Sequence, residues 1–173
     1  VLISGQNKII TRTETVVDKV TKKETKVEKT GPVVRNTEKN LKLLADSWRM
    51  AQEVDKAIPV LEKAAKMSKE GKSYVLLGNL YLSEDKVNLA VEAIKKGLDK
   101  GKITKISQVY LTLGQAYYEL QEFDNAKKQF RIAARDDDKK IKKQANNWIK
   151  YTENEETRVK NLALRRDYIQ SQS

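Results

Sequence analysis

Between residues 38 and 136 the apolar positions return in short stripes at helical spacing, two stripes to a unit, with polar turns between them. The middle unit is the clearest. Tyr74, Leu77, Leu80 and Tyr81 share one helix face, and Val87, Ala90, Val91, Ile94 and Leu98 share another. Tyr110, Leu113, Gly114 and Tyr117 repeat the first stripe in register with Tyr74, Leu77, Gly78 and Tyr81. Twelve residues after each glycine stands an alanine, Ala90 and Ala126. A large apolar residue follows four later (Ile94, Phe130), and a small one three after that (Gly97, Ala133). A weaker upstream copy places Leu41, Leu44, Ala45, Trp48, Ala57, Leu61 and Ala64 in the same slots. The markers Ala57, Ala90 and Ala126 stand 33 and 36 residues apart, and the longer period is taken up by the loop from Lys100 to Thr104. One helical hairpin cannot bury both of its stripes, so neighbours must stack, and about three hairpins are the minimum for a stable array.

Local signals place the helix ends. Asn36 and Thr37 offer caps for a helix from Glu38 to about Ala51, with Leu41, Leu44, Ala45 and Trp48 inward. A second helix starts near Asp55, with Pro59 in its first turn or just after, where the missing N–H costs little. Lys69 to Gly71 reads as a turn. The second unit spans Gly71 to Gly101, with Gly101 as a left-handed stop, and the third runs from Ser107 to about Arg135. Asp136, Asp137 and Asp138 read as the cap of the next helix. Lys139 to Gln170 then reads as one long helix without Gly or Pro. Its Ile141, Ala145, Trp148, Ile149 and Thr152 are expected to close the end of the array. Beyond them Val159, Leu162, Ala163 and Ile169 form a thinner stripe, open to three readings: packing on a partner or second copy, fraying, or folding back.

Residues 1–37 differ from the rest. They are rich in Thr, Val, Lys and Glu, with a near-repeat between Glu14–Lys19 and Glu24–Lys29 and a break at Gly31-Pro32. The β-branched content argues against an isolated helix. A charged linker, an extended ribbon or docking strand, and a helix formed only against a partner all remain open.

Composition narrows the chemistry. Charged residues make up 34% of the 173 positions and aromatics 6%, with two prolines and seven glycines, as suits a helical protein. No apolar run reaches the roughly 18 residues of a membrane span. The chain opens without Met and without a signal-like start, so a fragment or processed form is expected. With neither cysteine nor histidine, disulfides and thiolate metal sites are excluded, and the commonest nucleophiles and general bases are missing. No catalytic residue, metal site or cofactor is expected. The net charge of +11 can attract nucleic acid, anionic lipid or acidic protein. Its lysines are interleaved with Glu and Asp, as on a solvated helix surface, and nucleic acid is not the expected partner.

These slots resemble the tetratricopeptide repeat (TPR). The resemblance covers residues 38 to 136 and implies an all-α fold: a right-handed TPR superhelix of three hairpins over 38–137, a capping helix and tail over 138–173, and an irregular or extended arm over 1–37. Trp48 stands where the family more often has Tyr, and Leu41 where it often has Trp. In TPR proteins the first helices line a concave groove that receives a peptide. Carried over slot by slot, the groove residues are Lys39, Lys42, Asp46 and Arg49, then Lys72, Val75, Asn79 and Leu82, then Gln108, Leu111, Gln115, Tyr118 and Glu119. A TPR subset grips a C-terminal carboxylate. Here Lys42 is kept, but Asp46 replaces its asparagine, Gln108 and Thr112 its lysine and arginine, and Leu76 a polar residue, so a heat-shock co-chaperone role is not expected.

The runs LKLLADSWRMAQEVDKAIPVLEKAA (41–65) and QANNWIKY (144–151) are also similar to bacterial TPR proteins that accompany TonB–ExbB–ExbD systems. That likeness implies a periplasmic or envelope-associated accessory subunit, with an envelope complex subunit as partner and no small-molecule substrate. A cytoplasmic location is the alternative. A second reading, a self-assembling structural protein joined through the arm or the C-terminal helix, stays open beside it, with a homo-oligomer as its consequence.

Overall fold

The computed structural model describes residues 9–17, 24–32 and 36–172. Strands β1 (Ile9–Val17) and β2 (Glu24–Pro32) pair antiparallel, from Ile9 opposite Pro32 to Val17 opposite Glu24. Of the readings left open for the arm, these segments take the extended one. Pro32 closes its strand, a position where its missing N–H is tolerated. Residues 1–8, 18–23 and 33–35 of the arm lie outside those described.

Seven helices follow: α1 (Glu38–Met50), α2 (Val54–Met67), α3 (Lys72–Ser83), α4 (Val87–Lys100), α5 (Ile106–Glu119), α6 (Phe123–Ala133) and α7 (Lys139–Ser171). They pack as hairpins α1–α2, α3–α4 and α5–α6. Each second helix then meets the first helix of the next unit, and α7 lies on α6 and touches α5. Two core clusters result, one centred on Leu61, Leu77 and Ala90, the other on Ile94, Leu111 and Phe130.

The small slots are where backbones approach most closely. A Cβ on Gly71 would lie 1.9 Å from the Gly97 carbonyl oxygen, and one on Gly114 would lie 2.5 Å from the Phe130 ring. Lys100 ties two units together. Its ammonium donates to the carbonyls of Ala65 (3.1 Å) and Ser68 (2.5 Å), the otherwise open C-terminal end of α2, and lies 5.0 Å from the Tyr74 ring centre.

The turn inside each hairpin is built the same way. Gln52, Asp85 and Gln121 take positive φ (61°, 55° and 58°). The N–H groups of Glu53, Lys86 and Glu122 donate to the carbonyls of Trp48, Tyr81 and Tyr117, each at 2.9 Å. This is the Schellman closure, made three times without glycine. Thr37 caps α1 by accepting from the Asn40 N–H, and Asp138 caps α7 by accepting from Lys140 and Ile141, as the acidic triplet predicts.

One expectation changes. Leu44 is 44% exposed: among the described residues no helical hairpin precedes α1 to cover its outer face, so only Leu41 and Ala45 of that helix are buried. Pro59 is the sixth residue of α2, just past the first turn as expected and on the exposed side. The long helix neither ends early nor folds back. It stays helical to Ser171, with Leu162 50% and Ile169 65% exposed.

Candidate functional site

The first helices α1, α3 and α5 carry the sequence-derived groove set. Lys39, Lys42, Asp46 and Arg49 recur at three- and four-residue steps along one face of α1, where Lys39 and Arg49 are exposed and Lys42 and Asp46 half-buried. Three of these charges are engaged on their own helix. The Lys42 ammonium lies 2.5 Å from the Glu38 carboxylate, and the Arg49 guanidinium 3.4 Å from Asp46. Hydrogen bonds from Lys42 and Ser68 hold the Glu38 carboxyl below its usual pKa. On α3, Lys72 and Asn79 are exposed, while Val75 and Leu82 are half-buried against the second core cluster. On α5, Gln108 and Glu119 are exposed and Gln115 and Tyr118 half-buried.

Leu111 does not belong in the set. It is 1% exposed and sits in the core among Ile94, Phe130 and their neighbours, so no ligand can reach it without unpacking α5. The slot is read as a groove slot by analogy with Lys42 and Val75, but an aliphatic side chain there gains more by joining the core.

Tyr118 is likewise not a free groove side chain. Its ring lies 5.7 Å from Trp148, 5.4 Å from Tyr151 and 5.9 Å from Phe123, the Trp148 and Phe123 contacts edge-on. Burial, followed by a hydrogen bond to Tyr151, pushes its hydroxyl up to about 12. Trp148 also stacks on Phe130 at 5.5 Å and 16°. The result is an aromatic wall between α5 and α7. Gln144, Asn147, Trp148 and Tyr151 line a shallow, mostly apolar depression on its α7 side, with Tyr151 54% exposed.

Trp148 is therefore more than part of the closing end of the array expected from the sequence. The missed signal is spacing: Ile141, Ala145 and Trp148 repeat the steps of Tyr110, Gly114 and Tyr117. The first turns of α7 thus pack on α6 as α3 packs on α2 and α5 on α4.

Below the wall α7 is anchored by charge. Glu156 lies 2.6 Å from Lys127 of α6 and 2.6 Å from Lys160, and these bonds hold its carboxyl down to about 2. A separate cleft of about 250 Å³ lies among α2, α3 and α4, lined by Glu62, Lys66, Tyr74, Tyr81 and Glu92. There the Tyr81 hydroxyl donates to Glu62, and burial, then that carboxylate, pushes it up to about 12. This contact joins α2 to α3.

Residues 71–99 and 107–134, the α3–α4 and α5–α6 hairpins, match the tetratricopeptide-repeat family model. These two hairpins are tetratricopeptide repeats. The fold is shared with solved TPR structures at low identity. The TPR domain of OM64 from Arabidopsis is 20% identical, with a TM-score of 0.55 over 66% of this chain and 95% of that one. The type III secretion chaperone SycD of Yersinia enterocolitica, solved with a peptide of the translocator YopD, is 12% identical, with a TM-score of 0.57 over 68% of this chain and 92% of that one. A T3SS complex from Aeromonas hydrophila gives 14% and 0.60, over 72% of this chain and 86% of that one. No curated protein sequence matches the chain. Among the described residues no helix is long and apolar enough to cross a membrane.

Proposed function

We propose that the chain is a non-catalytic protein–protein interaction module that holds a peptide segment across the face made by its first helices, as an adaptor or assembly factor. The observation that carries this reading is the stacking of three hairpins, whose first helices α1, α3 and α5 keep Lys39, Lys72, Asn79, Gln108 and Gln115 exposed or half-buried. Side chains that are fixed at their base and open at their tips suit main-chain and side-chain hydrogen bonds to an extended segment. The bacterial envelope, and a TonB-type complex in particular, is the setting we propose, on the likeness of residues 41–65 and 144–151 noted above.

The test is capture from bacterial envelope extract by the intact chain and by a Lys42→Glu, Asn79→Ala, Gln115→Ala variant of unchanged helicity. Loss of the captured protein supports the groove, and retention contradicts it. A second reading, self-assembly through α7, draws on the exposure of Leu162, Leu164, Tyr168 and Ile169 at the end of that helix. It requires a sedimentation-derived mass that rises with concentration and falls back when Leu162 and Ile169 are replaced by serine.

A further inference from the structure

The outer face of α7 around the aromatic wall combines two features. The first is an accessible aromatic surface, made by Tyr151 and the half-buried Trp148 and flanked by the amides of Gln144 and Asn147. The second is a set of uncompensated cations. Lys140, in line with Tyr151, and Lys143 and Lys150, about a quarter-turn round the helix from it, are exposed and have no ion-pair partner among the described residues. No acidic residue occurs in α7 before Glu153. The contrast with the later turns is sharp. There Arg158 is paired with Glu155, Lys160 with Glu156, and Lys127 reaches across from α6.

We infer that this face is a second docking surface, for an acidic protein segment bearing an aromatic anchor. The anchor packs against Tyr151 and the edge of Trp148, where ring contacts are favourable, and its carboxylates face Lys140, Lys143 and Lys150. The amides of Gln144 and Asn147 meet the free main-chain groups of an extended segment. Charge complementarity selects this occupant. A neutral apolar segment would leave the lysines unused, and a second copy of this chain, itself at +11, would bring like charge to the face. The inference rests on the reading of the chain as a peptide-binding module, but it places binding on α7 and not on α1 and α3.

The experiment uses the full chain with Trp48→Phe, so that Trp148 is the only indole. The probe is a short peptide of aspartate, glutamate and serine around a central phenylalanine pair, titrated while Trp148 emission is followed. The expected result is a saturable shift. It weakens by about tenfold or more in Lys140→Glu, Lys143→Glu, Lys150→Glu and in Tyr151→Ser, and when the phenylalanines become serine. It is unchanged in Lys42→Glu, Asn79→Ala, so failure of the groove reading and failure of this one are told apart. The exposed lysines leave the fold intact when reversed, which far-UV circular dichroism checks. The inference is overturned if the peptide without phenylalanine binds as well, if a single-stranded oligonucleotide binds more tightly than the peptide, or if no peptide moves the emission.

Discussion

Gly114→Ala puts the packing account at risk, because two effects of known size oppose each other there. Alanine is worth about 1 kcal/mol over glycine in a helix interior. A Cβ at position 114, however, would stand 2.5, 2.6 and 2.9 Å from three atoms of the Phe130 ring. Ordinary carbon contacts are about 3.5–4.0 Å, so the ring would have to retreat by about 1 Å. It has nowhere to go: Phe130 is 0% exposed and is backed by Trp148, stacked at 5.5 Å. Overpacking of this kind costs about 1–3 kcal/mol. The net expectation is destabilisation by up to about 2 kcal/mol, read as a lower urea midpoint at constant m-value. The companion variant Phe130→Leu opens space at the same spot. The double substitution should therefore be less damaging than the sum of the singles by about 1 kcal/mol. If Gly114→Ala raises the midpoint, or if the two changes simply add, the close approach of α5 and α6 is not as described.

Three further outcomes follow from the same structure. Asp85→Gly and Gln121→Gly each remove a side chain from a left-handed turn position and should raise stability by about 0.5–1 kcal/mol in urea titrations, whereas glycine at exposed Lys95, inside α4, should cost about 1 kcal/mol. Lys100→Ala frees the Ala65 and Ser68 carbonyls and should cost about 1–2 kcal/mol, with hydrogen exchange fastest at the end of α2. Glu156 has a folded pKa of about 2 against 4.5 unfolded, so its contribution is complete above pH 4.5 and disappears as pH falls toward 2. Glu156→Gln should therefore lower the urea midpoint at pH 7, and the two proteins should converge near pH 2.

The repeat architecture is legible in the sequence because the slots that make it are few and strict. Gly78 and Gly114 face Ile94 and Phe130 across each hairpin, with Ala90 and Ala126 one turn before those large residues on the second helix. The caps at Thr37 and Asp138 are equally local and equally readable. What escapes is whatever depends on neighbours. Leu44 occupies an inward slot, yet it is exposed because no described helical hairpin covers that side of α1. Leu111 occupies an outward slot, yet it is buried because the core beneath it accepts an aliphatic side chain. The left-handed turns at Gln52, Asp85 and Gln121 carry no glycine to announce them. The aromatic wall joins Tyr118 to residues about 30 positions away, a pairing that no window along one helix contains.

The most direct measurement of the central claim, that the face of the first helices is the working surface, is site-specific photo-cross-linking. A photoreactive phenylalanine analogue would be placed at exposed Asn79 of α3 and, in a second protein, at exposed Lys95 of α4. Each would be irradiated with the partner that the intact chain retains from envelope extract. The account predicts a cross-link from position 79 to one continuous segment of the partner and none from position 95. Cross-linking from 95 alone would contradict it and move the binding surface to the second helices.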